Sequence, residues 1–247
     1  MGEPDERTPG DSPEAILAVH ERYLREVVEG FGLCPFARRC REQGRIQRPL
    51  FDLRSLPEGE PSAGACAREV AEITRTNPEV EVILLTFVLP EGHGWQSPNA
   101  PGGFEEFVRG LRASYEALGE GPRYYMVSFH PAFRRAEGSR PLTQDSLVPL
   151  IRRTPDPVIQ CIRAELLDDF RRQAQAVAEE RFRAQVAKLD PEIQVLLAHA
   201  IQADPELSSE IARNNFETIG AGEGHENFER RIAELLAARQ RLTCGEA

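Results

Sequence analysis

Two residues have side chains and surroundings that could do chemistry. Cys34 stands in Gly-Leu-Cys-Pro-Phe-Ala, residues 32 to 37. Proline is tolerated where a helix opens, so Pro35 predicts a short helix running on to Gly44. The partial positive charge of that helix start, with Arg38 and Arg39 a turn away, favours a thiolate and predicts a reactive cysteine. The plainer reading is a small buried apolar residue between Leu33 and Phe36. Cys40, six residues on, points about 120° away around a helix and is not placed for a disulfide with Cys34. His130 follows Ser128-Phe129 and precedes Pro131, which ends a strand and leaves an imidazole at a sheet edge. A histidine there serves as base, acid or metal ligand, or as a hydrogen-bonded structural residue.

Three functions follow from these residues. The first is a thiol-dependent enzyme with Cys34 as nucleophile and His130 as acid or base. Arg153, with Arg38 as a second candidate, would hold the anionic group of a small substrate. The second is a metal or cofactor site built on Cys34 and His130 and completed by Asp145 or Glu137. The third is a non-catalytic protein whose C-terminal helices pair with one another or with a partner. The pattern names no metal set and leaves the cofactor open. His20, His93, His199 and His225 lack ligand spacing. There is no P-loop, and Gly-Ala-Gly-Glu-Gly at 220 to 224 lacks the preceding strand of a dinucleotide fingerprint. Asp168-Asp169 and Glu179-Glu180 lie among arginines and read as a solvated, salt-bridged helix face.

These residues need a scaffold. Residues 1 to 11 read as an unstructured leader, and Ser12-Pro13 as the cap and first position of a helix with Ile16, Val19, Tyr23 and Val27 on one face. A strand over 46 to 53, a helix over 62 to 76, a strand over 80 to 89, a helix over 104 to 118 and a strand over 124 to 129 follow in turn. This alternation predicts an α/β (or α+β) domain over residues 12 to 170. It would hold a layered sheet of three or more strands, with parallel crossovers or a ferredoxin-like antiparallel arrangement. His130 would emerge at the carboxyl edge, where ligands gather in open sheets. Asp156-Pro157, Asp190-Pro191 and Asp204-Pro205 each pair a capping side chain with a proline. They predict helices, the first running from Val158 to about Lys188. A loop over 219 to 225 and a last helix over 227 to 242 complete an all-helical extension, residues 171 to 247.

The chain has 40 acidic and 30 basic residues in 247, a formal charge of -10 that repels a phosphate backbone, so no nucleic-acid partner is expected. Its five cysteines lack paired spacing, unlike a secreted disulfide framework. The acidic start lacks the apolar stretch of an export signal, and the apolar run from Val82 to Pro90 is too short to span a bilayer. The expectation is a cytoplasmic protein with no membrane partner and with self-association through its C-terminal helices.

Three segments in order, Gly-Leu-Cys-Pro-Phe-Ala at 32 to 37, Ser-Phe-His-Pro at 128 to 131 and Arg-Thr-Pro-Asp-Pro at 153 to 157, resemble a bacterial family, domain of unknown function 1415. The first two match its Leu-Cys-Pro-Phe-Ala and Ser-Phe-His-Pro elements. The third departs from its Arg-Ser-Pro-Tyr-Pro at Thr154 and Asp156, and the aspartate stands where the family usually carries an aromatic ring. The resemblance covers roughly residues 15 to 170. It implies one fold there, groups Cys34, His130 and Arg153, and brings no activity. Leu-Cys-Pro-Phe-Ala is also locally similar to the cysteine motif of omega-class glutathione transferases. Those have a strand before the cysteine, where this chain has a helix.

Overall fold

In a computed structural model the described residues are 12–55, 62–96, 102–133, 142–188 and 207–244. The expected leader lies outside them. Helix α1 (Pro13–Arg22) starts at Ser12, whose Oγ accepts from the Ala15 amide at 3.2 Å. It continues as a π-helical segment, Tyr23–Glu29. The wider turn keeps Tyr23, Leu24 and Val27 buried. Gly32, at φ +65°, then reverses the chain into Cys34 and the short helix α2 (Ala37–Glu42).

The strand expected over 46 to 53 is two pieces, β1 (Ile46–Gln47) and β2 (Leu50–Asp52), both parallel to β3 (Val82–Val88). Pro49 has no amide to donate and interrupts the ladder, although its carbonyl still accepts from Thr86. Helices α3 (Ala63–Thr76) and α4 (Gly102–Leu118) and strand β4 (Tyr124–Phe129) fall close to their expected positions.

One expectation fails in a way that changes the sheet. Val158 to Arg163 is not the start of a helix but a strand, β5, and helix α6 (Ala164–Val186) begins after it. Val158-Ile159-Gln160-Cys161-Ile162 is nearly all apolar and starts with two β-branched residues, a pattern that suits a strand covered on both faces. Asp156 does not cap a helix, because its side chain is bound elsewhere. Its carbonyl accepts instead from the Thr154 hydroxyl at 2.7 Å. The sheet order is β1-β3-β5-β4, with β2 also on β3. β5 is antiparallel to both β3 and β4, so the sheet is mixed and the β3-to-β4 crossover skips one strand.

Strand alternation gives the sheet two different faces. Ile83, Leu85, Phe87, Ile159, Cys161, Tyr124 and Met126 pack under α3 and α4 in the main core, with Val70, Phe104 and Leu111. Val82, Leu84, Thr86, Val127, Phe129, Val158, Gln160 and Ile162 face the other way. The layer on that side contains α1, the Cys34 turn, α5 (Gln144–Ile151) and α6.

The C-terminal helices belong to this second layer. The loop expected over 219 to 225 shrinks to two residues between α7 (Leu207–Ile219) and α8 (Gly222–Cys244), with Gly222 at φ +59° making the turn. Ile219, Phe228, Ile232 and Leu235 are buried against Val19, Tyr23, Val27, Leu147 and Leu150. Their apolar side chains are thus spent within the chain. Helix α6 runs across the expected boundary at 170/171. Asp190-Pro191 and Asp204-Pro205 lie outside the described residues. No helix among the described residues is long and apolar enough to cross a membrane.

Candidate functional site

Between the α1/α5/α7 layer and the sheet lies a cavity of about 400 Å³. It exists because the sheet's second face is covered by helices from four separate parts of the chain, which meet over it without filling it. The walls are mostly aliphatic and aromatic. Cys34, on the turn before α2, is one of the residues lining it. Two arginines, Arg48 and Arg152, also line it, and among the described residues no aspartate or glutamate does.

Burial pushes the Cys34 thiol up to about 11, against the opposing effect of the Phe36 and Ala37 amides. The effect of burial is the larger, so at neutral pH the resting group is a thiol. The sequence-based expectation of a thiolate rested on Arg38 and Arg39. Arg38 is instead largely exposed and 3.5 Å from Glu29, and Arg39 pairs with Glu81 at 2.7 Å. To act as a nucleophile, Cys34 needs a base.

His20 lines the same cavity from α1. Its Nε2 lies 2.9 Å from Asp156 Oδ2, and Arg239 of α8 donates its Nε–H to both oxygens of that carboxylate, at 3.0 and 2.8 Å. Burial would push the Asp156 carboxyl up, but the hydrogen bonds and charges of His20 and Arg239 outweigh it and hold the group below its ordinary value. An ionised carboxylate only accepts, so Nε2 carries a proton, and the form of the ring that can act as a base is the one with its lone pair on Nδ1. No partner for Nδ1 is found among the described residues.

Two further polar groups on the cavity wall lack partners. The side chain of Arg152 has no hydrogen bond or ion pair among the described residues, and burial holds its guanidinium below its ordinary value while Glu105 acts on it through space. Asn215 of α7 is 2% exposed, and its Oδ1 is buried without a hydrogen bond. Arg48, by contrast, is paired with Glu21.

The other residues singled out in the sequence lie elsewhere. The sheet separates His130 from Cys34: Val127 and Phe129 face the cavity, whereas Ser128 bonds Glu105 of α4 and the His130 ring packs 5.6 Å from that of Phe104. His130 is 1% exposed; its Nδ1 accepts from the Ala132 amide at 3.0 Å and its Nε2 is buried without a hydrogen bond. Burial holds its pKa below the ordinary value, against the opposing effects of the Trp95 carbonyl and Glu105, so the ring is neutral at pH 7. It lines a second cavity of about 390 Å³, together with Asp156, Arg239 and Arg54. Arg153 is spent on Glu229 of α8. Cys34 and His130 therefore do not share a pocket, and neither Arg153 nor Arg38 lines the cavity beside Cys34. Among the described residues no group of three or more His, Cys, Asp or Glu is placed to hold a metal ion. Glu137 and the Asp145 side chain lie outside that description.

His20, Arg152 and Asn215 escaped the sequence reading. His20 was set aside for want of a ligand partner, yet it sits in the apolar face of α1 between Val19 and Tyr23. A histidine interrupting such a face is a signal that a buried partner awaits it. Arg152 and Arg153 are adjacent, and only the turn after α5 decides which of them faces the cavity.

Comparison with curated proteins and with solved structures finds no similar chain. The family model described as "Protein of unknown function (DUF1415)" matches residues 15–192, which take in the Cys34 turn, the whole sheet and α1 to α6, and stop short of α7 and α8. The chain belongs to that family.

Proposed function

We propose that the protein is a thiol-dependent enzyme that acts on a small anionic molecule held in the Cys34 cavity. His20, rather than His130, is the base in this reading. The observation that carries it is a single cavity taking in a cysteine, a histidine oriented by a buried carboxylate, and an arginine whose guanidinium has no hydrogen bond or ion pair among the described residues. His20 accepts the thiol proton at Nδ1 as the sulfur attacks an electrophilic carbon and the displaced electron pair departs with that carbon's leaving group; the Asp156 carboxylate, held in place by Arg239, stabilises the resulting imidazolium. Arg152 holds the substrate's anionic group. Because the resting thiol is protonated, reactivity depends on a substrate that occupies the cavity and brings its electrophile to the sulfur.

A cavity-directed alkylating agent tests this. With 2-bromohexanoate the sulfur displaces bromide, a C–S bond forms, and the thiol proton passes to the base. Mass spectrometry of the full chain should show Cys34 modified with saturating kinetics, faster than the exposed Cys244. His20→Gln should slow Cys34 by about tenfold or more. Modification of Cys34 no faster than of Cys244, and indifferent to His20, would overturn the reading.

A further inference from the structure

The charge pattern of the cavity identifies its ligand more closely than the thiol does. Its walls are largely apolar; among the described residues they include two arginines and no acidic residue, and one of those arginines is already paired with Glu21. Arg152 is thus a single guanidinium, half-buried beside Ile151 and without an ion pair among the described residues. Glu105 acts on it only through space, and a cation without a contacting counter-charge in an apolar wall carries a free-energy cost that an incoming anion lowers. Asn215 adds an independent sign. It is 2% exposed, its Oδ1 has no hydrogen bond, and it reaches the cavity from α7. Buried polar atoms are nearly always paired, so an orphan on a cavity wall marks a place where a ligand or water completes the bond.

We infer that this cavity binds an amphipathic anion: an apolar chain or ring lying along the Leu84, Val127 and Phe129 face of the sheet, with one negatively charged end on Arg152, and with a hydrogen-bond donor of the ligand or a water at Asn215 Oδ1. This names the substrate class for the proposed thiol chemistry and rests on that reading only for the site's location. A cavity of about 400 Å³ falls in the range that encloses small organic ligands. One available guanidinium suits a single carboxylate-sized charge, which it grips with two parallel N–H bonds, better than a polyanion such as a diphosphate. Helix α7 supplies Ile211, Ala212 and Asn215 to the wall, so a part of the chain beyond the family match shapes what the cavity accepts.

The test uses the full chain carrying Cys34→Ser, so that binding is read without thiol chemistry. Calorimetric titration with decanoate, decanol and decylamine separates charge from apolar burial. Decanoate should bind at one site per chain, decylamine about tenfold or more weaker, and Arg152→Gln should erase the preference for decanoate over decanol. Equal binding of all three, or no binding of decanoate, would overturn the inference, and the comparison of the three probes needs no variant at Arg152. The two proposals fail separately. Decanoate binding without selective alkylation of Cys34 sinks the enzyme and keeps the ligand class. Selective alkylation by 2-bromohexanoate and its uncharged amide alike keeps the enzyme and sinks the anion.

Discussion

Asp156 and Arg239, 83 positions apart, meet with both side chains less than a tenth exposed, the Arg239 Nε lying 3.0 and 2.8 Å from the two carboxylate oxygens. The contact ties the last helix to the turn before the central strand β5. On its other side the same carboxylate holds His20 of α1. Three distant segments of the chain are therefore fixed to one buried group, and one of them delivers the imidazole to the cavity.

Removing that group should be expensive. Asp156→Ala leaves Arg239 as a buried cation without its carboxylate and His20 without its acceptor, a loss expected at about 3–5 kcal/mol. Equilibrium urea unfolding measures it. Asp156 titrates below its ordinary value in the folded chain. Its stabilisation is therefore present above the unfolded-state pKa and is lost as pH falls through the folded one. The stability gap between the unchanged chain and Asp156→Asn should narrow on acidification. A gap that stayed constant down to strongly acid pH would show that the carboxylate is not ionised in the fold.

The two histidines should behave oppositely towards Cys34. His130 lies across the sheet, so His130→Gln should leave the alkylation rate of Cys34 within about twofold. His20→Gln should lower it by about tenfold. Parallel rate measurements at neutral pH decide between them, and a large effect at His130 with none at His20 would reverse the assignment.

The pH dependence of the unliganded thiol has a definite sign. Cys34 is pushed up to about 11 from an ordinary value of 9.0, mainly by burial. Below the unfolded value both states carry the proton, and above it only the unfolded state ionises freely. The stability that this burial contributes is thus fully present below pH 9 and is lost as pH rises towards 11. Denaturation midpoints in that window should fall more steeply for the unchanged chain than for Cys34→Ser. Thiolate absorbance, taken as the difference between the two proteins, should titrate well above the ordinary thiol range. A midpoint near or below neutrality would show that the Phe36 and Ala37 amides outweigh burial after all.

The C-terminal helices should be needed for the fold of the second layer. Phe228 is fully buried, and its ring stands edge-on to Phe31 with centroids 5.5 Å apart. Phe228→Ala is expected to cost about 3–5 kcal/mol. Chemical denaturation of the variant checks this. A loss near zero would mean that α8 is only lightly docked on α1.

Much of the architecture is legible without coordinates, because it depends on local periodicity. The Ser12 cap, the helical faces of α1, α3 and α4, and the apolar run of β3 each follow from residue types at fixed spacing. Strand β5 is where the reading failed. A capping residue with proline ahead of an apolar run is a local helix signal, and it was overridden by two neighbouring strands offering a full ladder on both edges of Val158–Arg163. Pro49, which has no amide to donate, marks the break between β1 and β2 in the sequence as well.

The site divides along the same line. The sequence by itself determined that Cys34 stands on a turn into a helix, that His130 closes a strand, and that the family elements around them recur in order, all of which are properties of short segments. Only the tertiary structure decided that these two side chains lie on opposite sides of one sheet, since that depends on the parity of β4 and on which face the Cys34 turn covers. It also decided that Arg152 rather than Arg153 reaches the cavity, and that His20 gains a carboxylate 136 positions distant. Side-chain direction in a strand alternates with every residue, so a chemistry that needs two groups to converge is settled by register and packing, which no single segment encodes.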